Sequence, residues 1–135
     1  RHKILDVGCG GGRMGYELIN YLHSGNYYGF DKEHADIHSF LWLSKDFRIN
    51  SKKDVEIHID NFELAQFDVN TKFEFVYAYS VFTHVGPDLI RSLLKNLKRH
   101  LHPHSQFYAT VLLGSEGCDI GPTHERRKNE YRGVW

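Results

Sequence analysis

Along this chain, short apolar runs stopped by glycine or aspartate alternate with stretches in which apolar residues recur every three or four positions. Residues 3–8 (KILDVG) read as a buried strand, because a short apolar run halted by glycine is the pattern of a strand covered on both faces. Met14, Leu18, Tyr21 and Leu22 then recur at helical spacing as far as Ser24-Gly25-Asn26, a C-terminal stop. Residues 27–31 (YYGFD) give a second strand, and Ile37, Phe40 and Leu41 mark a second helix that yields to a polar linker over 48–54. Residues 55–60 (VEIHID) alternate with period two and 73–81 (FEFVYAYSV) run more continuously, which predicts a third and a fourth strand joined by a short helix or turn. Gly86-Pro87-Asp88 opens the clearest helix, with Ile90, Leu93, Leu94, Leu97 and Leu101 as one core-facing stripe. Residues 105–113 (SQFYATVLL) supply a fifth strand. Residues 114–135 form a polar tail with little periodicity, in which 130–135 is the one candidate strand.

Strands and helices alternating at this spacing imply right-handed crossovers, hence an α/β fold with an open, doubly wound, mainly parallel sheet and helices on both faces. With 135 residues, 41% of them hydrophobic, the chain suits one domain spanning 1–135. Seventeen basic residues balance seventeen acidic ones, so there is no general electrostatic footprint for nucleic acid or an anionic membrane. The longest apolar runs fall far short of the roughly 20 residues that span a bilayer. Cys9 in a glycine turn and Cys118 in the tail form no disulfide framework, which points to a reducing, cytoplasmic setting.

In such sheets a ligand lies outside the carboxyl ends of the strands, where strand order reverses. Three polar groups fall at three such ends: Asp6 ahead of the glycine turn, Asp31 after the second strand, and Asp60-Asn61 after the third. Gly8, Gly10 and Gly12 let the backbone approach a ligand closely. Asp31, about 20 residues beyond the turn, is placed to accept hydrogen bonds from both hydroxyls of a ribose. The fingerprint G-x-G-x-x-G of nicotinamide dinucleotide sites occurs literally at Gly10, Gly12 and Gly15. In the register that starts directly after the strand, however, Arg13 takes the third glycine position, whereas acidic-x-Gly-x-Gly-x-Gly fits Asp6, Gly8, Gly10 and Gly12 without adjustment.

The segment ILDVGCGGGRMGYEL resembles motif I of the class I S-adenosylmethionine-dependent methyltransferases, and YYGFDKE resembles their second-strand acidic motif. Residues 73–111, including SVFTHV, look like their fourth strand, following helix and fifth strand, so the resemblance covers roughly residues 3–113. It implies a Rossmann-like sheet of order 3-2-1-4-5 and S-adenosylmethionine as cofactor, with S-adenosylhomocysteine as product. By the same resemblance the turn Gly8-Cys9-Gly10-Gly11-Gly12 lies against the methionine part and Asp6 is near its amino group or orders the turn through water. Asp31 holds the ribose, Lys32 borders the adenine, Asp60 and Asn61 face the adenine edge with Phe62 as an apolar wall, and Tyr79 and Ser80 line the methyl-donor side. Members commonly carry helices before motif I and two strands after the fifth, so the core is expected to be truncated at both ends, with acceptor specificity residing partly in other segments.

Methyl transfer from a sulfonium needs alignment more than covalent help. A hydroxyl or amine acceptor needs a base, for which His84 on the rim after the fourth strand is the candidate, with Tyr79 in contact with the acceptor. His100, His102 and His104 sit on a helix-to-strand turn away from that rim, and His34 and His38 lack a third ligand, so no metal site is expected. HERRK (124–128) reads as a solvated face. The Asn-Pro-Pro-Tyr and Asp-Pro-Pro-Tyr sequences that the resemblance associates with amino-directed nucleic-acid methyltransferases are absent, which favours a small-molecule acceptor. An NAD(P)-binding oxidoreductase domain and a catalytically silent cofactor-binding module are the alternatives.

Overall fold

A computed structural model describes residues 2–46, 53–68 and 70–111. The sequence-predicted tail and its candidate strand at 130–135, most of the 48–54 linker, Cys118 and the HERRK segment lie outside the described residues. The elements are β1 (Ile4–Val7), α1 (Gly15–Tyr21), β2 (Tyr27–Asp31), α2 (His34–Asp46), β3 (Val55–Ile59), β4 (Phe73–Ala78), α3 (Pro87–Leu97), a 3-10 turn (Lys98–His100) and β5 (Leu101–Ala109). All four strand pairings are parallel, and the five-stranded sheet has the order β3-β2-β1-β4-β5. The chain order therefore reverses between β1 and β4, which puts the switch point at the glycine turn.

Strand alternation divides the core in two. Leu5, Val7, Tyr28, Phe30, Val76 and Ala78 join Leu93 and Leu97 of α3 on one face. Ile19 of α1 and Ile37 and Phe40 of α2 meet Tyr27 on the other, with Ile4, Val55, Ile57 and Ile59 packed against them. The α3 stripe is narrower than its spacing suggests: Leu93 and Leu97 are fully buried, Leu94 is exposed, and Leu101 begins β5. In α1, Ile19 is buried whereas Tyr21 is 88% exposed and Met14 precedes the helix.

Two strand boundaries differ from the pattern. β4 ends at Ala78 because Ser80 adopts φ 59°, which no strand accommodates. β5 begins at Leu101, four residues before the apolar run at 105, and it tolerates Pro103 because it is an edge strand. Residues 60–68 and 70–72 form turns, not a helix, yet Phe62, Leu64 and Phe67 all reach the core from them. Among the described residues no helix is long and apolar enough to cross a membrane.

Candidate functional site

β1 delivers the chain into the turn, which packs closely on one side only. Gly12 (φ 85°) lies against Phe40 of α2 so closely that a Cβ would come within 2.3 Å of its ring. Gly10 (φ 51°) and Gly11 instead face open space, with nothing within 4 Å of an added Cβ. The turn is thus sealed on the helix side and bare on the other.

Hydrogen bonds tie this bare surface to the neighbouring strand ends. The Cys9 N–H donates to the Phe30 carbonyl at 3.0 Å, and the Asp60 N–H to the Asp31 carbonyl at 3.0 Å. Asp31 Oδ2 accepts from the Gly10 N–H at 2.9 Å and Oδ1 from the Glu33 N–H at 3.0 Å. A carboxylate offers roughly four lone-pair sites, so both oxygens keep acceptor capacity beside the exposed turn. Lys32 is exposed and pairs with Glu33 at 3.7 Å.

Asp6 is buried on the α1 and α2 face of the sheet, where its Oδ2 accepts from the Tyr27 hydroxyl at 2.8 Å. Burial pushes its carboxyl up to about 7; the Tyr27 bond offsets part of that rise and the Asp31 charge adds to it. Burial and the neighbouring Asp6 charge also raise the Cys9 thiol, so it stays protonated and inert as a nucleophile. Cys9 therefore contributes its backbone to the turn.

After β3 the side chains do different work. Asp60 is buried, and its carboxylate accepts from the backbone N–H groups of Glu63 at 2.7 Å, Leu64 at 2.9 Å and Ala65 at 3.0 Å, an Asx-type grip on the turn. Asn61 is exposed. Phe62, with φ 63°, is 3% exposed and meets Phe30 edge-on with centroids 5.5 Å apart, so its ring lies in the core.

β4 and β5 supply a second polar group on the same edge. Tyr79 is exposed and stacks on Tyr77 at 6.0 Å. The Ser80 N–H donates to Thr110 Oγ1 at 2.6 Å, and Ser80 Oγ lies 3.2 Å from His84 Nε2. Val81 turns back onto the glycine turn, where a Cβ on Gly8 would come within 2.6 Å of its Cγ2.

The remaining histidines are dispersed. His100 is buried with Nδ1 2.9 Å from the Thr71 carbonyl, while its Nε2 accepts from Arg99 Nε at 3.2 Å. His34, His38, His102 and His104 are exposed. Among the described residues no three His, Cys, Asp or Glu side chains gather as a metal-binding group.

Two participants escaped the sequence reading. Tyr27 was legible in principle, since parallel register pairs it with Ile4 and strand alternation then sets it on the face of Asp6. Thr110 was not, because its contact depends on how β5 aligns with β4.

A family model described as a methyltransferase domain matches residues 5–107. The probable S-adenosyl-L-methionine-dependent methyltransferase TehB of Haemophilus influenzae is 23% identical over an alignment of 105 residues that covers 73% of this chain. The chain spans 32% of the length of that relative. Among solved structures, a protein from Pyrococcus horikoshii superposes with a TM-score of 0.68 at 23% identity, covering 81% of this chain and 45% of that one. An S-adenosylmethionine-dependent methyltransferase from Methanosarcina mazei gives 0.66 at 25% identity, covering 80% and 51%. The plantazolicin methyltransferase BpumL, crystallised with S-adenosylhomocysteine and a pentazolic desmethylPZN analog, gives 0.64 at 20%, covering 80% and 38%.

Proposed function

This chain belongs to the methyltransferase-domain family, and from that premise we propose that it is an S-adenosylmethionine-dependent methyltransferase core acting on a small-molecule acceptor. One observation carries the cofactor assignment: Asp31 is fixed by two backbone amides, one of them from the bare side of the glycine turn, and both its oxygens keep acceptor capacity. A rigid carboxylate beside exposed backbone suits the vicinal hydroxyls of a ribose. When bound, S-adenosylmethionine supplies an activated methyl group on a sulfonium.

The chain's own residues have simpler tasks. Gly10 and Gly11 give the methionine portion close access to the backbone. Asp6, buried on the helix side, lies near the ligand's amino group and orders the turn from beneath it. Lys32 and Asn61 border the adenine from exposed positions, and Asp60 shapes that border by holding residues 63–65. Phe62 supports the same border from beneath, through its packing on Phe30. Tyr79 and Ser80 form the methyl-donor side, with His84 as the base for the acceptor. The missing Asn-Pro-Pro-Tyr and Asp-Pro-Pro-Tyr sequences support a small acceptor.

Calorimetric titration with S-adenosylhomocysteine, with NADH as control, tests this reading on the chain and on Asp31→Ala. Tight binding that Asp31→Ala abolishes is the expected result. A preference for NADH would instead establish a nicotinamide site. Cofactor binding without methyl transfer to any acceptor by the full-length protein would identify a silent module.

A further inference from the structure

We propose that Thr110 is a positioning residue for acceptor deprotonation: it fixes Ser80 so that the Ser80 hydroxyl donates to His84 Nε2 and keeps that nitrogen a hydrogen-bond acceptor. The inference rests on the methyltransferase reading and deepens it, because it calls for an acceptor that must lose a proton, a hydroxyl or a protonated amine.

The argument starts from a backbone oddity. Ser80 holds φ 59°, a left-handed conformation unfavourable for an L-residue, and such residues persist only where their surroundings over-determine them. Here the surroundings are two bonds to one residue. The Thr110 N–H donates to the Ala78 carbonyl at 3.2 Å, which extends the β4–β5 ladder one residue past the Ala78 and Ala109 pair. Thr110 Oγ1 then accepts the Ser80 N–H at 2.6 Å. Thr110 therefore clamps both ends of the bend.

The bend sets the side chain's direction. Ser80 Oγ reaches to 3.2 Å from His84 Nε2, while the His84 N–H donates to the Val81 carbonyl at 2.9 Å and anchors the far side of the turn. Ser80 and His84 are both exposed on the carboxyl edge of the sheet, where the acceptor must approach the methyl group. With Nε2 accepting, Ser80 Oγ keeps acceptor capacity with which to take a proton.

The relay balances. The acceptor's proton passes to Ser80 Oγ as the Ser80 hydroxyl proton moves to Nε2. The acceptor's lone pair bonds to the methyl carbon, the carbon–sulfur bond of the sulfonium breaks with its electrons staying on sulfur, and the imidazolium releases its proton to solvent.

Nitrogen-15 NMR of the histidine rings in the full chain tests this without needing the acceptor. The His84 signals are identified by their loss in His84→Gln, and the ring is observed at alkaline pH where it is neutral. The expected result is an unprotonated Nε2 in the unaltered chain, loss of that signature in Ser80→Ala, Thr110→Val and Thr110→Ala, and its retention in Thr110→Ser. A His84 ring protonated on Nε2 in the unaltered chain, or one unmoved by Ser80→Ala and by whichever Thr110 variant folds, overturns the proposal. A lowered melting temperature with no ring change would reduce Thr110 to a structural clamp. S-adenosylhomocysteine titrations on the same samples separate the outcomes, since a failure to bind overturns the methyltransferase reading and leaves the ring assignment intact.

Discussion

The Tyr27 hydroxyl donates a 2.8 Å hydrogen bond to Asp6 Oδ2 between adjacent strands, placing a buried carboxyl and its donor hydroxyl beneath the glycine turn. The consequence is a pH dependence of unusual sign. The folded chain holds a proton on Asp6 up to about pH 7, whereas the unfolded chain releases it near 3.8. Stability from this group is complete below pH 3.8 and is lost as pH rises toward 7. Urea midpoints measured across that range should show Asp6→Asn gaining on the unaltered chain as pH rises. Tyr27→Phe, which removes the donor, should lower stability by about 1–3 kcal/mol.

His100 acts in the opposite direction. Its burial, offset in part by the Thr71 carbonyl, lowers its affinity for a proton below the ordinary value of 6.5. The unfolded chain takes up that proton and the folded chain resists it, so this contribution is complete above pH 6.5 and declines as pH falls further. In His100→Gln the acid limb of the urea profile should flatten, while the Asp6 limb remains.

The two kinds of glycine in the turn should separate binding from folding. Gly10→Ala carries backbone strain of about 1–2 kcal/mol but meets no neighbour, so the protein should fold and lose S-adenosylhomocysteine binding. Gly12→Ala adds the collision with Phe40, a further cost of about 1–3 kcal/mol, and should fail first in a thermal melt. Calorimetry beside thermal denaturation of both variants reads the difference.

Lys53 holds the end of α1 from a distance. Its ammonium donates to the carbonyls of Ile19 at 2.6 Å, Asn20 at 2.7 Å and Leu22 at 2.5 Å, groups that the helix end leaves without partners. Lys53→Met should cost about 1.5–3 kcal/mol in urea unfolding, because the carbonyls lose a charged donor. A loss below a few tenths would mean that water replaces the ammonium freely.

The strand ends and the buried face of α3 were legible because they follow from short-range rules, whereas the sheet order came from the family resemblance. Apolar runs stopped by Gly8, Asp31 and Asp60 mark strand ends, and the spacing of Leu93 and Leu97 marks a buried helix face. What resisted reading depends on contacts across the sequence. Leu101 satisfies both a helical and a strand pattern, and only pairing with Phe73 assigns it to β5. Val81 continues the apolar run of β4, yet it leaves the strand to fill the space beside Gly8. Phe62 and Leu64 carry no periodicity because both sit at left-handed φ within a turn, and neither Lys53 nor Thr110 has any local signal of its role.

Asp60 changes how a mutational survey of this chain should be interpreted. One buried side chain satisfies three successive turn amides, and the chain it orders sends Phe62 inward and Asn61 outward. A substitution there would disperse that whole bend, and a growth-based or display-based screen would score the position as indispensable for ligand capture although the carboxylate is committed to backbone amides. Scores at such a position rank architecture and recognition on one scale; abundance measured alongside binding divides them into two.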